Sequence, residues 1–191
     1  MTALTPANQL TLLRMLLIPV FALLVIYDYM ASALSVFIIA GLTDALDGLL
    51  ARRMGGQTTL GAWLDPVADK LLVATMFIVL ALPLDHLVAR LPVWLPVLVL
   101  SRDIGIVATV SIVNLAIGRR TFRPSMLGKV ATATFLVTGV VCLFVNALGD
   151  PSLTWAVRLF AYLSLALTVA SALHYAIYAS RLSTESSNSG H

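Results

Sequence analysis

Charge is the scarcest property of this chain. Asp, Glu, Lys and Arg make up 11% of its 191 residues against 60% apolar residues, and a mean hydropathy of +0.97 leaves too little polarity to coat a soluble domain of this length. A water-exposed globule is excluded. Cysteine is almost missing too: Cys142 stands alone in an apolar run, so no internal disulfide forms, and the residue reads as packing that carries no information on compartment. No repeat with a period of about 20–50 residues is present, and low-complexity sequence is confined to a Ser-rich stretch at 183–190. The first apolar segment lacks the basic start of a secretory leader and runs at once into a second, so it is expected to be retained.

Apolar runs are what the chain has in plenty. Six can be drawn, at 10–27, 30–52, 60–82, 92–117, 127–148 and 153–178, each near the roughly 20 residues that cross about 30 Å of hydrocarbon as a helix. Six crossings put both termini and the loops after the second and fourth segments on one side. That side carries Arg52, Arg53, Arg119, Arg120, Arg123, Lys129 and Arg181, against Arg90 alone in the opposite loops, which makes it the cytoplasmic one. The expectation is an all-α integral membrane protein of six transmembrane helices with N- and C-termini cytoplasmic: a single membrane domain over 1–182 and a disordered tail over 183–191. The net charge of +3 calls for no nucleic acid, because basic residues beside a bilayer meet lipid headgroups.

Against this apolar background four carboxylates are concentrated as Asp44-x-x-Asp47-Gly48-x-x-Ala51-Arg52, then eight residues, then Gly61-x-x-x-Asp65-x-x-x-Asp69. At about 100° per helical residue, taking Asp44 as zero, Asp47 falls near about −60°, Gly48 about +40°, Ala51 about −20° and Arg52 about +80°. Acids, small residues and Arg share one face. With Asp65 as zero, Asp69 falls at about +40° and Gly61 at about −40°. Helices that meet through Gly and Ala approach closely, so the four acids are expected in one cavity. Each ionised Asp at mid-bilayer costs roughly 2.5–3.5 kcal/mol on insertion scales, and two divalent cations would cancel all four charges. Oxygen ligands favour Mg²⁺, Mn²⁺ or Ca²⁺, and metals held about 3.5–4 Å apart suit displacement at phosphorus. Protonated acids bonding between helices are the structural alternative. A divalent-cation transporter is a rival of another class, but the chain shows one cluster, no second gate and no inverted repeat.

The spacing resembles, without a departure, the signature of the CDP-alcohol phosphatidyltransferase family, and the likeness runs from Asn8-x-x-Thr11-x-x-Arg14 to the sixth apolar segment. The resemblance implies a membrane enzyme in which two Mg²⁺ or Mn²⁺ ions hold the pyrophosphate of a CDP-linked lipid while an acceptor alcohol displaces CMP. It implies Asp44, Asp47, Asp65 and Asp69 as metal ligands, with Asp69 also the candidate general base that takes the acceptor's proton. Arg52 would steady the phosphates, Gly48, Ala51 and Gly61 would let CDP-diacylglycerol approach the helices, and Thr43 would add a polar contact. A homodimer in the inner (cytoplasmic) membrane, with its site facing the cytosol, is implied as well.

The acceptor is less clearly written. Ala40 to Gly48 and Leu100-Ser-Arg-Asp103 resemble the branch that makes phosphatidylglycerophosphate and cardiolipin. Pro124-Ser125-x-x-Gly128-Lys129 resembles the element that opens the fifth helix and lines the acceptor pocket. Glycerol 3-phosphate, a small dianion, calls for converging cations, which Arg119, Arg120, Arg123 and Lys129 supply beside Ser125; the same residues also serve as topology signals. Phosphatidylglycerol, the alternative acceptor, needs fewer cations, and no basic residue occurs over 104–113, where users of glycerol 3-phosphate commonly carry one. Arg102 either pairs with Asp103 in a buried structural pair or reaches a substrate phosphate. Arg14 reads first as an interfacial side chain that snorkels, with substrate contact as the alternative. His174, Tyr175 and Tyr178 read as an interfacial belt, Arg158 has no assigned partner, and Asp28, Asp85 and Asp150 read as loop residues.

Overall fold

The structure, a computed structural model, describes the backbone over 6–54, 59–117 and 126–188 and side chains over 9–43, 67–105, 108 and 126–173. Among the described residues six α-helices follow one another: α1 Pro6–Ile26, α2 Met30–Met54, α3 Thr59–Ala81, α4 Trp94–Ile117, α5 Met126–Leu148 and α6 Thr154–Asn188, with a 3-10 turn at Pro151–Leu153 before α6. No strand occurs among the described residues. Pro6 opens α1, where its missing N–H breaks no helical bond, and Pro19 lies within α1, a position membrane helices tolerate because their neighbours satisfy the freed carbonyl. The α1–α2 link is tight: Asp28 takes a positive φ of 65°, which Asp adopts more readily than most residues, and Tyr29 N–H closes onto Leu24 C=O at 2.8 Å. Gly149, with φ 68°, ends α5 in the left-handed cap that glycine favours. Asp150 then caps the 3-10 turn, accepting the Ser152 N–H at 2.8 Å, and this backbone bond holds its carboxyl below the usual range.

All three aspartates expected in loops, Asp28, Asp85 and Asp150, lie between helices. At the C-terminus α6 continues to Asn188, since extending an established helix costs far less than starting one.

Polarity is distributed as it is when lipid is the solvent. Thr11, Arg14, Thr138, Asn146, Ser164 and Thr168 are buried, whereas Leu16, Leu23, Val97, Ile104, Leu159 and Tyr162 are each more than half exposed. In water such an outer surface would be an aggregation hazard. Buried hydroxyls bond between helices, as Thr138 Oγ1 does with Ser164 Oγ at 2.9 Å, a common glue of membrane bundles. Among the described residues, Gln9–Ile26, Met126–Leu148 and Pro151–Leu173 are long and apolar enough to cross a bilayer, and Met30–Thr43 is a shorter apolar stretch.

Helix contacts define the neighbours within the bundle. α5 runs along α6, α1 lies against α2 and α3, α2 reaches α5, and α3 touches α4 and α5. At one end the loop between α3 and α4 is tied down by His86 Nε2 to Val25 C=O at 2.9 Å and by Asn146 of α5. Its amide accepts from Ala89 N–H at 3.1 Å and donates to Ala89 C=O at 2.7 Å. The described apolar core lies toward this end and includes Phe21, Val25, Phe37, Phe77, Leu95 and Leu143. Cys142 is buried there, its Sγ 3.5 Å from Ala89 C=O, in agreement with a packing role.

Asn146→Leu preserves volume but leaves the buried Ala89 N–H without its acceptor, which costs about 1–3 kcal/mol. Thermal unfolding in detergent should show Tm falling by roughly 4–8 °C with turnover per folded molecule unchanged. An unchanged Tm would mean the loop is held by its apolar contacts alone.

Candidate active site

The aspartate motif lies at the opposite end. Asp44, Asp47, Gly48, Ala51 and Arg52 fall on one unbroken helix, the second half of α2, and Gly61, Asp65 and Asp69 fall on the first half of α3, so the helical spacing read from the sequence applies throughout. Side chains over 44–66 lie outside the described residues. Thr43, just before them on α2, folds its hydroxyl back onto Ile39 C=O at 2.7 Å.

Asp69 anchors the described part of the site. Its Oδ1 accepts a hydrogen bond from Arg14 Nη1 of α1 at 2.5 Å, with the Arg14 side chain 1% exposed and the Asp69 side chain 42% exposed. Thr11, one turn before Arg14, is equally buried. Snorkelling toward an interface is therefore the wrong account of Arg14. A cation sealed inside an apolar bundle needs an opposite charge, and the carboxylate 55 positions later supplies one. The signal was present in the sequence: Arg14 is the one charged residue of α1, at i, i+3 from Thr11, and the four acids need positive partners.

The next residue, Lys70, points elsewhere. Its Nζ lies 3.0 Å from Asp103 Oδ2 on α4, a contact that sequence reading did not anticipate. Arg102 and Asp103 approach only to 3.6 Å, since neighbours on a helix diverge by about 100°. The stronger bonds of Arg102 go to α5: Nη1 donates to Thr132 Oγ1 at 3.0 Å and Nη2 to Gly128 C=O at 2.8 Å, with the guanidinium carbon 5.9 Å from the Phe135 ring centre. Lys129, beside Gly128 in the first turn of α5, is exposed. Arg119, Arg120, Arg123 and Ser125 lie outside the described residues, as do the side chains of His174, Tyr175 and Tyr178.

These contacts bring Arg14, Asp69, Lys70, Arg102, Asp103 and the start of α5 to one end of the bundle. Among the described side chains no group of three metal-binding residues occurs, and three of the four motif aspartates are outside that set. The donor set on α2 and α3 is nonetheless all carboxylate oxygen, with neither Cys nor His in the motif, which fits a hard divalent cation such as Mg²⁺ or Mn²⁺.

A family model for CDP-alcohol phosphatidyltransferase matches residues 4–173. A Mycobacterium tuberculosis protein named "Probable phosphatidylglycerophosphate synthase" is 38% identical over 181 residues, covering 92% of this chain and 81% of its own length. A Bacillus subtilis protein named "CDP-diacylglycerol--glycerol-3-phosphate 3-phosphatidyltransferase" is 31% identical over 178 residues, or 85% of this chain and 86% of its own. Human "Cardiolipin synthase (CMP-forming)" is 34% identical over 149 residues, 70% of this chain and 48% of its own length. With the motif complete on α2 and α3 and a match that runs from α1 into α6, the chain belongs to the CDP-alcohol phosphatidyltransferase family.

Proposed function

We propose that this protein transfers the phosphatidyl group of CDP-diacylglycerol to glycerol 3-phosphate, releasing CMP and forming phosphatidylglycerophosphate. The observation that carries this reading is coverage: the two relatives whose names specify that product or acceptor align over more than four fifths of both partners' lengths. Cardiolipin synthesis, with phosphatidylglycerol as acceptor, is the second reading. It draws on the human relative and on the lack of a basic residue over 104–113.

In the proposed reaction the acceptor hydroxyl oxygen bonds to the phosphorus that carries diacylglycerol, and the bond from that phosphorus to the CMP oxygen breaks. The electron pair leaves on CMP. Asp69 takes the hydroxyl proton, and Arg14 holds Asp69 by one carboxylate oxygen so that its orientation is set before substrate arrives. Two divalent cations held by Asp44, Asp47, Asp65 and Asp69 would polarise the pyrophosphate and stabilise the departing charge. Gly48 and Ala51 of α2 and Gly61 of α3 leave room for the nucleotide beside the helix backbones, with Arg52 and Thr43 as polar contacts. Arg119, Arg120, Arg123, Ser125 and Lys129 receive the acceptor's phosphate. The excess of basic residues at this end supports a reading with the site and both termini in the cytosol, on the cytoplasmic membrane, with residues 1–182 as one domain and two copies as the working unit.

Purified protein given CDP-diacylglycerol with glycerol 3-phosphate or phosphatidylglycerol, after chelation and again after Mg²⁺ or Mn²⁺ is restored, tests the reading. CMP release should require the added metal and yield phosphatidylglycerophosphate. Cardiolipin as sole product would transfer the assignment to the second reading, and metal-independent turnover would remove the cations from the mechanism.

A further inference from the structure

The sequence leaves Arg102 as half of an ion pair or as a substrate contact; it lies 3.6 Å from Asp103, and its shorter bonds go to α5. The guanidinium side chain is 14% exposed. One terminal nitrogen bonds Thr132 Oγ1 and the other bonds Gly128 C=O, and Thr132 Oγ1 itself donates to that same carbonyl at 3.0 Å. Behind them the Phe135 ring, over which the guanidinium lies, meets Phe77 of α3 edge to face at 6.1 Å between centres. A planar fork with fixed donors fastens α4 to the first two turns of α5 in one register, which a Lys ammonium could not do. On the other side of Arg102, Asp103 reaches Lys70 of α3, the residue that follows Asp69.

We propose that Arg102 is a positioning residue: with Asp103 and Lys70 it forms a strut that fixes the start of α5, and Lys129 on it, relative to the aspartates of α3. The proposal rests on the acceptor being received at the start of α5, as in the reading above. Its consequence is selective. Loosening the strut displaces the cations that meet the acceptor phosphate, while the CDP-lipid on α2 keeps its contacts.

The test compares wild type with Arg102→Gln, Arg102→Lys, Thr132→Val and the double variant Arg102→Gln with Thr132→Val, measuring KM for each substrate and kcat with whichever acceptor the wild type uses. Arg102→Gln should raise the acceptor KM by about 10- to 100-fold, the scale expected of a misplacement near 1 Å, with the KM for CDP-diacylglycerol within twofold. Thr132→Val should give a smaller change of the same kind, Arg102→Lys should not restore wild-type behaviour, and the double variant should be no worse than Arg102→Gln, because both act through one contact. Independent, multiplying effects would mean that Arg102 touches substrate directly and would overturn the proposal. So would an unchanged acceptor KM, or a loss confined to the CDP-lipid. If Arg102→Gln does not fold, Thr132→Val alone carries the decision by the same split. A wild type that uses neither acceptor defeats the proposed function instead, so the two failures are told apart.

Discussion

Asp69→Asn abolishes most turnover, by about 10²- to 10⁴-fold, the usual worth of a general base, while CDP-diacylglycerol still binds. The substitution isolates one property. An Asn carbonyl oxygen occupies the place of Oδ1 and still accepts the Arg14 hydrogen bond, so the α1–α3 contact survives, and Asp44, Asp47 and Asp65 are left to hold the cations. What the amide cannot do is take a proton. Side-chain exposure of 42% makes Asp69 reachable by a small acceptor, as a base must be. The measurement is CMP release at saturating substrates across a wide range of Mg²⁺ concentration, with CDP-lipid affinity measured separately. Failure to recover activity at high Mg²⁺ is the expected outcome. Recovery to the wild-type rate would make Asp69 a metal ligand only and leave the proton to another group.

Local periodicity carried much of this architecture. Apart from the C-terminal end of α6, the helices fall within a few residues of the apolar runs, because roughly 20 apolar residues leave a chain in lipid no alternative to hydrogen bonding its own backbone. The same regularity puts the motif residues on two unbroken helices. Long-range pairing was harder to read. Arg14 sits near the start of an apolar span, a position equally suited to an interfacial side chain, and nothing local reveals that its partner is Asp69 of α3. Arg102 and Asp103 are adjacent in sequence and do pair, at 3.6 Å, but nothing local reveals the closer partners that each finds on another helix, Lys70 for Asp103 and Gly128 and Thr132 for Arg102.

Arg14→Met tests the pairing that sequence reading missed, and its expected effect on chemistry is large. Met is unbranched, favours helices and fills irregular apolar space, so the variant should insert at least as readily as the wild type, which buries a cation in the bundle. The loss falls on Asp69. Without Arg14 the carboxylate loses a fixed partner at 2.5 Å and turns toward whatever positive charge is nearest, and a base displaced by about 1 Å loses on the order of 10²-fold in rate. Arg14→Lys should recover part of the rate, since the charge returns on a longer, less directed stem. The decisive readouts are kcat and the Mg²⁺ concentration giving half-maximal rate, the latter falling in Arg14→Met because a carboxylate freed from Arg binds cations more readily. A kcat within twofold of wild type would return Arg14 to the interfacial role that its sequence position first suggests and would detach it from the chemistry of Asp69.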